Sequence, residues 1–216
     1  MKRTLFIPAV ALTLMMASCG GGTHENQTEA KPEAEVAPAT AESMTYTIDP
    51  ASSSVIWSGS KVAGTHTGTI NITTGDLMMT GADLTGGNFV LDMATLKNTD
   101  LEDAEKNGNL VGHLSSPDFF DVANNPTVDF AITGAHPEED GSLHVSGNLT
   151  IKGITKNIDF PAMVNMTDNG LTAEASFSID RTDWDIKYGS GTFFDDLGDK
   201  VINDNIDFAV KLVATK

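Results

Sequence analysis

The 216-residue chain carries 30 Asp and Glu against 13 Lys and Arg, a net charge of −17, with 40% hydrophobic residues and one cysteine. That length suits one domain with appendages and a substantial core. One Cys excludes an intramolecular disulfide and a cysteine zinc cluster, and the acidic balance argues against nucleic acid or an anionic membrane surface as partners of the folded part.

At the N-terminus, Met1-Lys2-Arg3 is basic and Leu5 to Met16 is apolar but too short to span a bilayer as a mature helix. Met16-Ala17-Ser18 then places small residues ahead of Cys19. The pattern resembles a bacterial lipoprotein signal, which implies a signal peptide over 1–18 and a lipidated Cys19. An ordinary secretory signal cut near Ser18 would instead leave a free thiol, a liability in an oxidising compartment. Lipidation predicts a place in the cell envelope, on the periplasmic side of the outer membrane or at the cell surface, with the lipid as the only membrane contact. Residues 19–43 hold almost no large apolar side chain after Cys19, and one Lys against five Glu. They read as a flexible acidic spacer, because such a segment cannot bury enough surface to offset its ordering entropy.

From Met44 onward short apolar and β-branched runs are broken by Gly, Asn and Asp, which predicts antiparallel strands. Apolar residues alternate at Val55 and Trp57, and at Ile70 and Ile72. The same period recurs along Leu143 to Ile151, at Ile158 and Phe160, from Ala173 to Ile179, and from Ile206 to Leu212. Period two gives each strand one dry face and one wet face. About eight such strands without a long amphipathic helix must meet face to face in a sandwich or close into a barrel. Turns are predicted at Asp49-Pro50, Thr74-Gly75-Asp76, Gly86-Gly87, Glu139-Asp140-Gly141 and Asp168-Asn169-Gly170.

Between Asp100 and Val122 the chemistry is helical. Leu101 to Lys106 favours helix, and Ser116-Pro117-Asp118 reads as an N-cap, a first-turn Pro and a favourable charge ahead of Phe119-Phe120. This short insertion supplies either a plug for one end of the domain or part of a cavity wall.

Four motifs then fall in order: Lys61, Gly64, His66 and Gly68; His113-Leu114-Ser115-Ser116-Pro117-Asp118-Phe119-Phe120-Asp121-Val122; Gly147 to Lys156; and Ile179-Asp180-Arg181-Thr182-Asp183-Trp184. Together they resemble the YceI-like family across essentially all of residues 44–216. The run Ile186 to Asp195, with the N-terminal signal, resembles its lipoprotein branch in Bacteroidota. The resemblance implies an all-β, lipocalin-like antiparallel barrel whose interior holds an isoprenoid chain such as a polyprenyl phosphate or a quinone tail. It also implies a periplasmic or secreted protein, often a homodimer. No other cofactor is implied.

A barrel of about eight strands is filled by its own side chains or holds one slender ligand; alternation by itself favours a packed core, and the family resemblance favours the ligand. Candidate wall residues are Phe89, Phe119, Phe120, Phe130, Val145, Leu149, Ile158, Phe160, Phe177 and Phe208. His66, His113 and Arg181 match the motifs and are assigned to the mouth or to bracing the helix. A cation there suits a phosphate or a quinone oxygen, whereas the structural alternative pairs Arg181 with Asp180, Asp183 or Asp121. Trp57 and Trp184 read as packing residues, and His136 and His144 receive no role.

Catalytic motifs do not occur: no Gly-x-Ser-x-Gly elbow, phosphate loop, dinucleotide fingerprint or metal-spaced His pair. The run from Asp103 to Gly108 imitates a calcium loop, but Leu114 stands where its closing Glu belongs. The expectation is therefore a binding protein and not an enzyme, without metal or nucleic acid. The alternative is a structural or partner-binding envelope lipoprotein with a packed core.

Overall fold

Alternation from Met44 onward resolves into nine strands and one α-helix in a computed structural model that describes residues 27–36 and 42–216. The strands are β1 (Met44–Ile48), β2 (Ser54–Lys61), β3 (Gly64–Thr80), β4 (Asp83–Asn98), β5 (Thr127–Pro137), β6 (Leu143–Ile151), β7 (Ile154–Thr167), β8 (Gly170–Asp180) and β9 (Ile202–Thr215). Helix α1 (Ala104–Ser115) lies between β4 and β5. The signal over 1–18 and Cys19 lie outside the described residues.

Every strand pairing is antiparallel, and the order β3-β2-β9-β8-β7-β6-β5-β4 returns to β3. The sheet is therefore a closed barrel of eight staves. β1 pairs with the same two neighbours as β2, but at the other end: Tyr46 faces Leu77 and Ile48 faces Ala214, whereas Val55 faces Ile70 and Val210. One stave is thus split in two. Asp49 starts the break by accepting hydrogen bonds from the Ala51 amide and the Ser52 hydroxyl.

Two expected turns are not turns. Thr74–Asp76 and Gly86–Gly87 lie within β3 and β4, opposite each other, with Gly75 facing Phe89 and Leu77 facing Gly87. The physical reason is close approach in a bent hairpin, since a Cβ on Gly87 would press on the Asp76 carbonyl. The insertion also differs from its expected layout. Asp103 is the N-cap of α1, its carboxylate accepting from the Glu105 and Lys106 amides, and Ser116 is the C-cap, not the start of a second helix. The Ser116 hydroxyl and amide both donate to the His113 carbonyl, and Pro117 follows where a helix cannot continue.

The segment read as free spacer is, over residues 27–36, part of the wall. β7 pairs with β8 only between Ala162–Thr167 and Gly170–Ala175, while β8 continues along β9 to Asp180. The strands fork, and backbone groups facing the fork need partners. Residues 27–31 supply them. Gln27 bridges Ser178 in parallel, Lys31 bridges Asn157 antiparallel, and the Thr28 amide donates to the Ser178 carbonyl at 2.8 Å. Outside the fork, Lys31 Nζ pairs with Asp159 at 2.6 Å, and Asn148 exchanges two hydrogen bonds with the Ala34 backbone.

Candidate functional site

The inward faces of the staves do not fill the barrel. A cavity of about 200 Å³ occupies the α1 end, lined by side chains that include Val55, Trp57, Ile70, Phe89, Leu91, Met93, Leu149, Phe177, Phe208 and Val210. A smaller cavity of about 50 Å³ lies further along, lined by residues that include Leu77, Leu84, Phe130, Ile132, Val145, Phe160, Ala162, Ala173, Ala175 and Leu212. Along β9 the lining runs from Ile202 and Asn203 through Ile206, Phe208 and Val210 into the second cavity at Leu212. The two cavities are therefore stacked along the barrel.

Helix α1 covers the larger cavity. Leu110, His113 and Leu114 share one helical face by their spacing, and all three line it together with Phe119 and Phe120. The insertion is thus cavity wall. Its start is fastened by Asn107, whose side-chain amide donates to the Asn98 and Leu101 carbonyls, while Asn98 in turn donates to the Thr67 carbonyl.

Polar groups of the larger cavity come from this end: Ser60, Lys61, His66, His113, Arg181 and Asn203. His66 Nδ1 lies 2.9 Å from Asp100 Oδ2. Burial works against ionisation of Asp100, but hydrogen bonds from His66, the Thr67 amide and Asn98 outweigh it and hold its pKa at about 2. His113 packs edge-on against Tyr188 and Phe119 at centroid distances of 4.6 and 5.7 Å.

Arg181 is buried, with 1% of its surface exposed, and its donors are already engaged. Nε donates to the Asn203 carbonyl, Nη1 to the Ile186 carbonyl, and Nη2 to the Ile202 carbonyl and to Asp204 at 3.0 Å. Burial pushes its pKa down, while Asp204 and Asp180 push it back up. Its ion-pair partner is Asp204 rather than the expected Asp180, Asp183 or Asp121, because Asp180 turns back to cap the 3-10 turn Arg181–Trp184. Asp204 also accepts from the Ser190 and Thr192 hydroxyls, so one carboxylate ties three segments together. Arg181 braces the barrel end. Lys61 and the His113 ring make no hydrogen bond or ion pair with another side chain among the described residues, which leaves both open to a ligand in the cavity.

Of the sequence-derived wall residues, Phe119, Phe120, Leu149 and Phe208 line the larger cavity and Phe130, Val145 and Phe160 the smaller. Phe89 and Phe177 line both. Ile158 lines neither; it is fully buried where β7 passes Gly147 of β6. Both tryptophans are buried, with indole N–H groups donating to the Lys97 and Leu149 carbonyls, but Trp57 is also cavity wall. Sequence reasoning missed Leu91, Met93 and Leu96 of β4. Their signal is Phe89-x-Leu91-x-Met93, an alternation interrupted on both sides. Among the described residues, no cluster of three His, Cys, Asp or Glu could hold a metal ion.

Comparison with known proteins places this geometry. The chain resembles BcnA from Burkholderia cenocepacia over 78% of its length and 99% of that chain, at 22% identity and a TM-score of 0.63. A polyisoprenoid binding domain from Saccharophagus degradans matches over 79% of this chain and 97% of that one, at 17% identity and a TM-score of 0.58. Likeness at these identities shows the fold. A UPF0312 protein of Pseudomonas putida is 38% identical over 53 residues, 24% of this chain and 28% of the relative. One from Pseudomonas aeruginosa is 35% identical over 85 residues, 37% of this chain and 44% of the relative. The matched region therefore spans less than half the length of these curated relatives. The model of the YceI-like domain matches residues 46–214, the barrel from β1 to the last residues of β9, and the chain belongs to that family.

Proposed function

We propose that this protein is a lipid-anchored binding protein of the cell envelope that holds an isoprenoid lipid or similar amphiphile inside its barrel, without catalysing a reaction on it. The observation that carries the reading is the apolar cavity of about 200 Å³ under α1, with Lys61 and His113 among the polar groups at its end. Apolar cavities stay dry and accept hydrocarbon, and each methylene taken from water contributes about 0.8 kcal/mol. The likeness to a polyisoprenoid binding domain supports the ligand class. Lys61 suits a phosphate or a quinone oxygen at the cavity end, and the N-terminal pattern supports lipidation at Cys19.

Native mass spectrometry and solvent extraction of protein purified from its own host test the reading. An extractable isoprenoid of defined mass, with acylated Cys19 at the mature N-terminus, is the expected result. A barrel that yields no lipid and takes up no polyprenyl probe would overturn it in favour of a structural or partner-binding envelope protein.

A further inference from the structure

Every exposed Phe, Tyr or Trp among the described residues falls in one loop. Tyr188, Phe193 and Phe194 are 48%, 48% and 51% exposed, between the 3-10 turn Arg181–Trp184 and β9. Water favours turning such rings inward, yet the backbone holds them out. Ser190 is fully buried, its hydroxyl donates to Asp204 at 2.8 Å, and its carbonyl accepts from the Phe193 and Phe194 amides. The Ile202 amide closes the base of the loop on the Gly189 carbonyl at 2.8 Å. Val62, 70% exposed, follows Lys61, which pairs with the same Ile202. Four exposed apolar side chains therefore share the barrel end that carries the cavity's polar groups, and the Tyr188 ring packs on cavity-lining His113.

We propose that this end of the barrel docks on a zwitterionic phospholipid bilayer, with Val62, Tyr188, Phe193 and Phe194 seated among the head groups. The inference rests on the proposed lipid anchor and goes beyond it, since the lipid on Cys19 is then not the sole membrane contact. Clustered exposed apolar side chains mark a contact surface, and aromatic rings suit the boundary between head groups and acyl chains.

Chain length selects the end. The opposite end also exposes apolar side chains, Met163 and Met166 of β7, with Met166 facing Leu171 of β8. Gln27 is fixed at Ser178, and Cys19 stands eight chain steps before it, a reach of at most ~29 Å. Along β8 from Ser178, Asp180 is only ~7 Å away, whereas Gly170 at the far end is ~26 Å away. A lipid on Cys19 therefore reaches a bilayer at the aromatic end with length to spare, and at the methionine end only by spending nearly its whole span.

Charge selects the surface. Residues 185–200 hold Lys187 and Lys200 against Asp185, Asp195, Asp196 and Asp199. Anionic head groups would repel this loop, and a second copy of the chain would set like charges against each other. Zwitterionic phospholipid does neither.

Tryptophan quenching tests the dock on the mature full chain, purified from its own host and reconstituted in vesicles of phosphatidylethanolamine and phosphatidylcholine. Trp57 and Trp184 are buried and give the wild-type background. An interfacial side chain sits ~5–10 Å deep, so Phe193→Trp is expected to lose at least about half of its added emission to a shallow doxyl-labelled phosphatidylcholine. Met163→Trp, at the opposite end, is expected to lose none. An unquenched Phe193→Trp, or a quenched Met163→Trp, would overturn the dock and leave the anchor standing. A dimer that dissociates in Phe193→Ser/Phe194→Ser, with Phe193→Trp unquenched, would overturn it in favour of a second copy on this face. Vesicle flotation and the mass of the mature N-terminus report the anchor separately. A chain that does not float and carries no acyl group on Cys19 would overturn both readings.

Discussion

Phe160 and Phe177 stack face to face, with ring centroids 4.2 Å apart and planes 10° from parallel, where their strands β7 and β8 separate. The ring stack closes the fork from inside, and residues 27–31 close it from outside through Ser178 and Asn157. The wall at this point is held by a segment remote in sequence.

Deleting residues 27–36 removes the Thr28 bond to Ser178 and the reciprocal Lys31–Asn157 pair. At about 1 kcal/mol net for each hydrogen bond, the expected loss is roughly 2–4 kcal/mol, or about 5–15 °C in Tm for a domain of this size. Thermal melting and amide exchange at Asn157 check it. Unchanged melting and a protected Asn157 amide would show that the segment only rests on the barrel.

Arg181→Met leaves Asp204 and three carbonyls without their guanidinium. Breaking a buried pair costs about 3–5 kcal/mol, and the expected outcome is a lowered Tm with any loss of ligand binding following unfolding. Retained stability with binding lost would instead make Arg181 a head-group contact.

Asp100 gives the barrel end a defined acid response. Its folded pKa of about 2 lies below the ~3.9 of an unfolded Asp, so its contribution is complete above about pH 4 and is lost as pH falls towards 2. Asp100→Asn is expected to be less stable than wild type at neutral pH, with the two Tm curves converging between pH 4 and 2. The other carboxylates are common to both proteins and drop out of the difference. Parallel curves down to pH 2 would remove Asp100 from the account.

Gly147 lies against the face of Phe130, and a Cβ there would overlap the ring. Gly147→Ala is expected to cost about 1–3 kcal/mol by overpacking and to displace Phe130 from Phe89 and Phe160, its neighbours at 5.3 and 5.7 Å. Melting and near-ultraviolet circular dichroism report both effects. A variant with wild-type Tm and aromatic signal would show that Phe130 moves aside freely.

The barrel was legible where one strand keeps one register. Leu143 to Ile151 and Ile206 to Leu212 alternate with little interruption, and the helix is signalled by the run Leu101 to Lys106, although its N-cap is Asp103 and not the expected Ser116. β4 was not legible, because irregular pairing with β3 shifts its inward set from Leu84 to Phe89, Leu91 and Met93, and then to Leu96 and Asn98. Gly86 and Gly87 therefore look like a turn in the sequence and serve as a bend. Phe89, Phe130, Phe160, Phe177 and Phe208 could be singled out separately, but the ring contacts that link them depend on cross-strand register. Asp204 as the partner of Arg181, and residues 27–31 as wall, are long-range pairings that carry no local signal.

The fastening of residues 27–31 also bears on how far the domain can stray from a membrane. Gln27 meets the barrel at Ser178 and Asn205, on the end that carries Arg181 and the cavity's polar groups. Gln27 stands eight chain steps after Cys19. Fully extended, these steps span at most ~29 Å, against roughly 85 Å for a linker left free as far as Ser43. A lipid on Cys19 would therefore keep this end on a short leash, with the cavity end tethered close to the bilayer from which a hydrocarbon ligand would come.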